Sequence, residues 1–413
     1  LQEERTMTAT HVRTTKDVRS IANLPTSVRL AFLALTKTKI GSLIIELPDG
    51  RSFLFDQGKA GPSGKICVRD TKMAGRVLSG GDVGFAESYM DDQFSTPDLA
   101  AVLEYFAVNF EAAGRLSRGS PIRNAVTKVL DALLKKNTKR GSKQNILAHY
   151  DLGNEFYAKW LDPTMTYSSA IYTPGEDMVP AQQRKYESIA QKIEAGPDAH
   201  ILEIGSGWGG FAEHTAKEFG SRITTITISD AQHAYASKRI FEAGLAERVK
   251  VELRDYRDVD GQYDGVASIE MFEAVGEEYW PGYFDKVRSV LGDGKRAALQ
   301  IITIDDALFE SYRKRVDFIQ RYVFPGGMLP SIDALKDQFS RAGLAFEQAQ
   351  MFGQSYAQTL NSWATSFRDA WPEIERMGYD RAFRNLWEYY LCYCEAGFKT
   401  GRTDVGQFVV RRS

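Results

Sequence analysis

The run Glu203-Ile204-Gly205-Ser206-Gly207-Trp208-Gly209-Gly210 has the clearest chemical meaning in this 413-residue chain. An apolar stretch, Ile201-Leu202, leads into an acid, then a glycine turn, then a helical pattern. Glycine at 205 and 207 lets the backbone approach a ligand that a Cβ would push away. The spacing is Glu-x-Gly-x-Gly-x-Gly, with the acid two residues before the first glycine, and not the GxGxxG of dinucleotide sites. The next apolar stretch ends Thr227-Ile228-Ser229, without the acid that would hold an NAD ribose. A third ends Asp255-Tyr256-Arg257. There a carboxylate can accept from a ring amino group and a phenol can pack on the ring. The plainer reading of that pair is a strand-end cap with a core tyrosine. A fourth stretch ends Glu270-Met271-Phe272-Glu273, which places Glu273 for chemistry at a sheet edge or, more plainly, in a solvated loop.

The elements that must position these residues follow from periodicity. Strands are expected at His200–Ile204, Ile223–Ile228, Val249–Arg254, Gly265–Ile269 and Arg296–Ile302, most of them separated by helical stretches. That alternation predicts an α/β architecture, a doubly wound parallel sheet with helices on both faces. Upstream, residues 43–56 read as a hairpin around Pro48-Asp49-Gly50. Residues 97–113 read as a helix with Thr96 as cap and Leu99, Val102, Leu103, Phe106 and Phe110 on one face. The expected organisation is a mobile segment 1–25, a small α+β domain 26–112, a basic amphipathic linker 113–144 and the main domain 145–413. The aromatic stretch Trp387–Glu395 reads as a buried helix closing a pocket.

Lys and Arg number 52 against 54 Asp and Glu, a net charge of −2, which disfavours a uniformly basic nucleic-acid binder. The average hides a local excess. Residues 115–143 hold nine basic side chains and one acid, Asp131. That segment reads as a solvated linker or as a docking surface for anionic lipid. Cys67, Cys392 and Cys394 are too few for a disulfide framework and are not spaced as zinc ligands, and the histidines form no HExxH. No metal site is expected. No apolar run is long enough to span a bilayer and the first residues are polar, so the expected location is cytoplasmic.

The glycine-turn spacing resembles that of S-adenosylmethionine methyltransferases. A more specific resemblance joins it. The segments His149–Tyr157 and Leu161–Ser169 resemble the entry segment of the cyclopropane-fatty-acyl-phospholipid synthases and the mycolic acid cyclopropane synthases. So do Glu203–Gly210, Thr227–Gln232, Asp255–Asp258, Met271–Glu273 and Phe324–Pro330, all in the family's order. The match runs over about 145–412 and extends weakly upstream to Gly84–Asp91. It implies a Rossmann-like methyltransferase sheet preceded by the small α+β domain. It also implies S-adenosylmethionine as cofactor, bound by Tyr167, Ser168, Glu203, Gly205, Gly207, Thr227, Ile228, Gln232, Asp255, Tyr256 and Glu270.

In that family the cis double bond of an acyl chain attacks the sulfonium methyl, and a bound bicarbonate takes a proton from the resulting cation. Carried onto this chain, the bicarbonate ligands are Glu273, the backbone of Ile302, and Tyr356. The cysteine position holds Ser169 and the histidine position holds Gln300. Both can donate hydrogen bonds, but neither carries charge, and Gln300 cannot take a proton near neutral pH. Ring closure is therefore placed in question and a methyl-branched or methylene product is suggested. Tyr322, with other aromatics, is placed to stabilise a cation. The implied substrate is membrane phospholipid with an unsaturated chain, met at the inner face of the cell membrane, with a homodimer compatible. A small-molecule methyltransferase and an inactive lipid-binding paralogue are the other readings.

Overall fold

The computed structural model describes residues 9–114, 116, 119 and 152–413. The basic stretch 115–143 therefore lies outside the described residues apart from Leu116 and Gly119. So do residues 1–8 and the first part of the entry segment, His149–Asp151. The chain divides into two compact units. The first takes residues 1–131, 314–321 and 375–402, and the second takes 132–313, 322–374 and 403–413.

In the first unit a five-stranded sheet has the order β1-β3-β2-β4-β5. Its strands are β1 Thr10–His11, β2 Ser42–Glu46, β3 Ser52–Asp56, β4 Ser63–Val68 and β5 Phe94–Ser95. The hairpin expected at 43–56 is β2–β3, antiparallel with Ile44 opposite Leu54. Part of the segment expected to be mobile is ordered. β1 pairs in parallel with β3, and Thr14 and Asp17 form a capping box on the helix Thr15–Ser20. Val12 and Val18 are fully buried, which supplies the apolar anchor that the polar composition of 1–25 conceals. The helix expected at 97–113 is Leu99–Val108, followed by a turn at Phe110–Ala113. Its cap is Asp98, which accepts from the Ala101 N–H, while the Thr96 hydroxyl bonds the Asp98 carbonyl instead. The aromatic helix Arg381–Lys399 packs within this unit, with Tyr389 against Phe85, Tyr89 and Phe318.

The second unit is built on a seven-stranded sheet of order β11-β12-β10-β9-β6-β7-β8. Its strands are β6 His200–Ile204, β7 Arg222–Thr227, β8 Val249–Leu253, β9 Tyr263–Ile269, β10 Leu291–Ile304, β11 Leu344–Met351 and β12 Thr403–Arg412. Strands β10-β9-β6-β7-β8 are parallel, and β12 runs antiparallel between β10 and β11. Successive residues along β6 face opposite sides. Ile201 lies in a core cluster with Ile189, Phe211 and Ile223, and Leu202 in another with Phe272, Tyr283 and Leu299. Both faces are thus covered by helices, as a parallel sheet requires. The strand order reverses at β6, with β7 on one side and β9 on the other. Ligands of such sheets bind in the crevice at the carboxyl ends of the strands at that point.

Candidate active site

The glycine turn leaves β6 at this switch point. Gly205 has φ +96° and Gly207 φ +50°, both in the region that only glycine enters freely. A Cβ on Gly207 would meet nothing within 4 Å, so space for a ligand stands over the turn. Trp208 anchors the turn to the entry segment through an indole N–H bond to the Asn154 Oδ1 at 2.8 Å. At the end of β7 the Thr227 hydroxyl donates to Gln232 Oε1 at 2.9 Å, and Ser229 caps the helix that follows. Ile228 between them is half-buried.

Asp255 is spoken for locally. Its carboxylate accepts both Arg257 nitrogens, at 2.8 and 2.7 Å, and caps the turn Tyr256–Asp258. Tyr256 packs edge-on against Tyr283, which gives the ring a fixed face beside β8, and burial pushes its phenol up to about 12. Glu203 lies inside the sheet, 2% exposed, and accepts from the Thr225 hydroxyl at 2.5 Å. Burial pushes it up to about 8 from an ordinary 4.5.

That shift has a consequence for stability. Glu203 is neutral when buried and must ionise as pH rises through about 8, whereas in the unfolded chain it ionises near 4.5. Its contribution is complete below about 4.5 and is lost progressively as pH rises toward and past 8. The melting temperature is therefore expected to fall between pH 5 and pH 8.5. In Glu203→Gln, which keeps an acceptor for Thr225 and cannot ionise, that fall should be clearly smaller. Thermal melts at the two pH values check it.

The second half of the site gathers at the carboxyl ends of β9 and β10. Glu270 follows β9 directly and has φ +49°, an uncommon conformation for a residue with a side chain that costs about 1–3 kcal/mol. Its backbone N–H still bonds the Gln300 carbonyl of β10 at 2.8 Å. Three donors converge on its carboxylate. The Ser169 N–H and the Gln300 amide reach Oε1, each at 2.8 Å, and the Tyr356 hydroxyl reaches Oε2 at 2.7 Å. Burial raises its pKa, opposed by these bonds and by the Lys185 charge.

Gln300, 1% exposed, is itself held. Gln407 on β12 donates to its oxygen at 3.2 Å. The Gln407 oxygen in turn accepts from Ser188 at 2.7 Å and Lys192 at 2.6 Å. This relay orients the Gln300 amide with its N–H side toward Glu270.

Glu273 stands one turn on. Its Oε1 accepts from the Ile302 N–H at 2.5 Å, and its backbone carbonyl accepts from Met328 at 2.9 Å, in the segment after Phe324-Pro325-Gly326-Gly327. Its Oε2 is buried without a partner. Burial, and then the Glu270 charge, pushes Glu273 up to about 8. Burial thus raises both neighbouring carboxyls.

The structure thus brings together Ser169, Glu270, Glu273, Gln300, Ile302 and Tyr356. Ser169 contributes its N–H, since its hydroxyl donates to the Ala170 carbonyl. Ile302 donates its N–H to Glu273. Glu270, expected on the cofactor, accepts from Ser169, Gln300 and Tyr356. Tyr322 closes the helix Phe318–Tyr322 and is half-buried. Tyr167 lies in an aromatic group with Tyr157, Trp160 and Trp363.

Sequence reasoning missed Lys185. Lys185 is fully buried, and its ammonium donates to the Ser168 hydroxyl and to Gln182 Oε1, both at 2.7 Å. Burial lowers it to about 7. Its signal was present in the sequence: it stands at i+4 from Ala181 and i−4 from Ile189, on the apolar stripe of its own helix.

Among the described residues, no group of three or more His, Cys, Asp or Glu is placed to hold a metal ion. No described helix is long and apolar enough to cross a membrane.

This arrangement agrees with what the chain is similar to. A family model described as mycolic acid cyclopropane synthetase matches residues 137–408. Tuberculostearic acid methyltransferase UfaA1 of Mycobacterium tuberculosis is 35% identical over 353 residues, covering 83% of this chain and 82% of that protein. Cyclopropane-fatty-acyl-phospholipid synthase of Escherichia coli is 32% identical over 358 residues, covering 84% and 87%. The solved structure of mycolic acid cyclopropane synthase CmaA1 complexed with SAH and CTAB superposes with a TM-score of 0.62 at 26% identity, over 65% of this chain and 97% of that one. With the cofactor turn at the switch point of its sheet and a carboxylate cluster beside it, the chain belongs to the mycolic acid cyclopropane synthetase family of S-adenosylmethionine-dependent methyltransferases.

Proposed function

We propose that this enzyme methylates the cis double bond of an unsaturated fatty acyl chain carried by membrane phospholipid, giving an open-chain methyl-branched or methylene product. The observation that carries this reading is the pair Glu270 and Glu273 held at the carboxyl edge of the sheet, next to the Gly205–Gly207 turn. Support for the lipid comes from the relatives that align over most of the chain, a tuberculostearic acid methyltransferase and a cyclopropane-fatty-acyl-phospholipid synthase.

S-adenosylmethionine, when bound, supplies an electrophilic methyl. The chain's own residues do the rest. Gly205, Gly207, Thr227 and Gln232 would hold and orient the cofactor at the switch point. The aromatic group of Tyr157, Trp160, Tyr167 and Trp363 offers π faces that favour a developing cation. The same rings exclude water that would quench it. An open-chain product is favoured because a tuberculostearic acid methyltransferase is among the relatives that align over most of the chain, and because Ser169 and Gln300 stand where the ring-forming members hold their bicarbonate with a cysteine and a histidine. Neither side chain takes a proton, and the Ser169 hydroxyl is turned to its neighbour's carbonyl.

The test is to supply a trideuterated methyl donor to the enzyme with phospholipid vesicles and analyse the chains by mass and by unsaturation. The expected product carries the label and a remaining carbon–carbon double bond. A labelled, fully saturated ring product would contradict the open-chain assignment. Lipid without label would contradict the reading as a whole.

A further inference from the structure

The family's bicarbonate sits in a cradle of backbone and side-chain donors. In this chain the corresponding donors are already engaged. The Ser169 N–H, the Gln300 amide and the Tyr356 hydroxyl all end on Glu270, and the Ile302 N–H ends on Glu273. Of these groups only Glu273 Oε2 is left unpartnered, and the backbone, amide and phenol donors are spent on the two glutamates, so the residues present do not fit bicarbonate.

We infer that the Glu270 carboxylate is a built-in replacement for a diffusible anion: it fills the cradle and serves as the proton acceptor of the reaction. This rests on the methyl-transfer reading above.

Four features support the assignment. A carboxylate has the same planar pair of oxygens as bicarbonate and accepts the same donors. Every one of the three bonds comes from a donor, which favours the ionised form. Lys185, buried nearby, adds a favourable positive charge. The backbone of Glu270 is held at φ +49° to deliver the side chain, which is the kind of strain found at working residues. The charge lost at the cysteine and histidine positions is thereby restored at a third one.

The step balances. The alkene π pair forms the new carbon–carbon bond as the carbon–sulfur bond breaks, and its electrons leave with the thioether. The cation next loses one hydrogen. That C–H pair becomes the new double bond, and the proton goes to Glu270, which becomes a neutral acid and returns it to water after product leaves.

The experiment compares wild type with Glu270→Gly, a substitution suited to the positive φ, so that the variant is expected to fold. Binding of ¹³C-bicarbonate is followed by NMR for both proteins. Methylation rates are measured in buffer stripped of carbon dioxide, with and without added bicarbonate or formate. Wild type should bind no bicarbonate and keep its rate when it is removed. Glu270→Gly should lose about 10²- to 10⁴-fold in rate, bind bicarbonate, and recover in part with bicarbonate or formate. A merely structural role for Glu270 would not be rescued by a small anion. Bicarbonate binding by wild type, or a wild-type rate that falls on its removal and returns on its addition, overturns the inference. If wild type methylates no lipid at all, the proposed substrate fails, while the binding arm still decides whether Glu270 fills the cradle.

Discussion

Trp363→Ala is expected to lower the melting temperature by about 10 °C and to slow methyl transfer beyond what the lost stability explains. Trp363 is fully buried on the helix Gly353–Arg376. Its ring meets Trp160, Tyr167 and Tyr356 at centroid distances of 5.9, 5.3 and 6.1 Å. Removing a buried tryptophan costs about 3–5 kcal/mol, through lost transfer energy and the cavity left behind. In a unit of this size each kcal/mol shifts the midpoint by about 2–4 °C. The effect on rate has a separate cause. Trp363 supports the ring of Tyr356, whose hydroxyl holds Glu270 Oε2, and it backs Tyr167 in the aromatic group. Trp363→Phe fills much of the space and should recover most of both losses. Thermal melts and steady-state rates for the two variants test this. A Trp363→Ala protein that is destabilised but catalytically normal would sever the proposed link between this core and the site.

Gly205→Val should weaken S-adenosylmethionine binding by about 10- to 100-fold with the fold intact. At φ +96° a β-branched residue is strained by about 1–3 kcal/mol. The new Cβ would also lie 3.2 Å from Met271 Cγ and 3.3 Å from its Cβ. Relief of that contact moves Met271, which stands between Glu270 and Glu273, so the carboxylate cluster is disturbed together with the turn. Each tenfold in affinity corresponds to about 1.4 kcal/mol. Calorimetric titration with the cofactor, with circular dichroism as the control for folding, measures it. Unchanged affinity in a folded variant would place the cofactor elsewhere.

These two positions differ in how far the sequence announced them. Gly205 stood in a spacing with a mechanism, and the parallel strands around it were readable because apolar runs of strand length alternated with helical periods. β6 was placed to the residue, and β7, β8 and β9 to within two. Strands β11 and β12 were missed. β11 carries Glu347, Gln348 and Gln350 among its eight residues and is largely exposed, so no apolar run marks it. β12 is buried along most of its length, yet it follows a long helix and pairs antiparallel, outside the alternating pattern.

That omission hid Gln407, and with it the relay that orients Gln300. Glu270 was read as a strand-end acid on the cofactor. The donors that reach it depend on a positive φ and on register, with Ile269 opposite Gln300 across β9 and β10. Neither can be read from residue types. The residues at 169 and 300 put ring closure in question, and the carboxylate that meets both of them is seen only when the strands are laid side by side.

The central claim is that this chain methylates unsaturated acyl chains of phospholipid. Expressing it in a bacterium that lacks its own cyclopropane synthase and profiling the fatty acids by mass addresses that claim directly. The account predicts new chains heavier than the host's unsaturated ones by one CH₂, gained at their expense. An unchanged profile from cells that make the folded protein would contradict it.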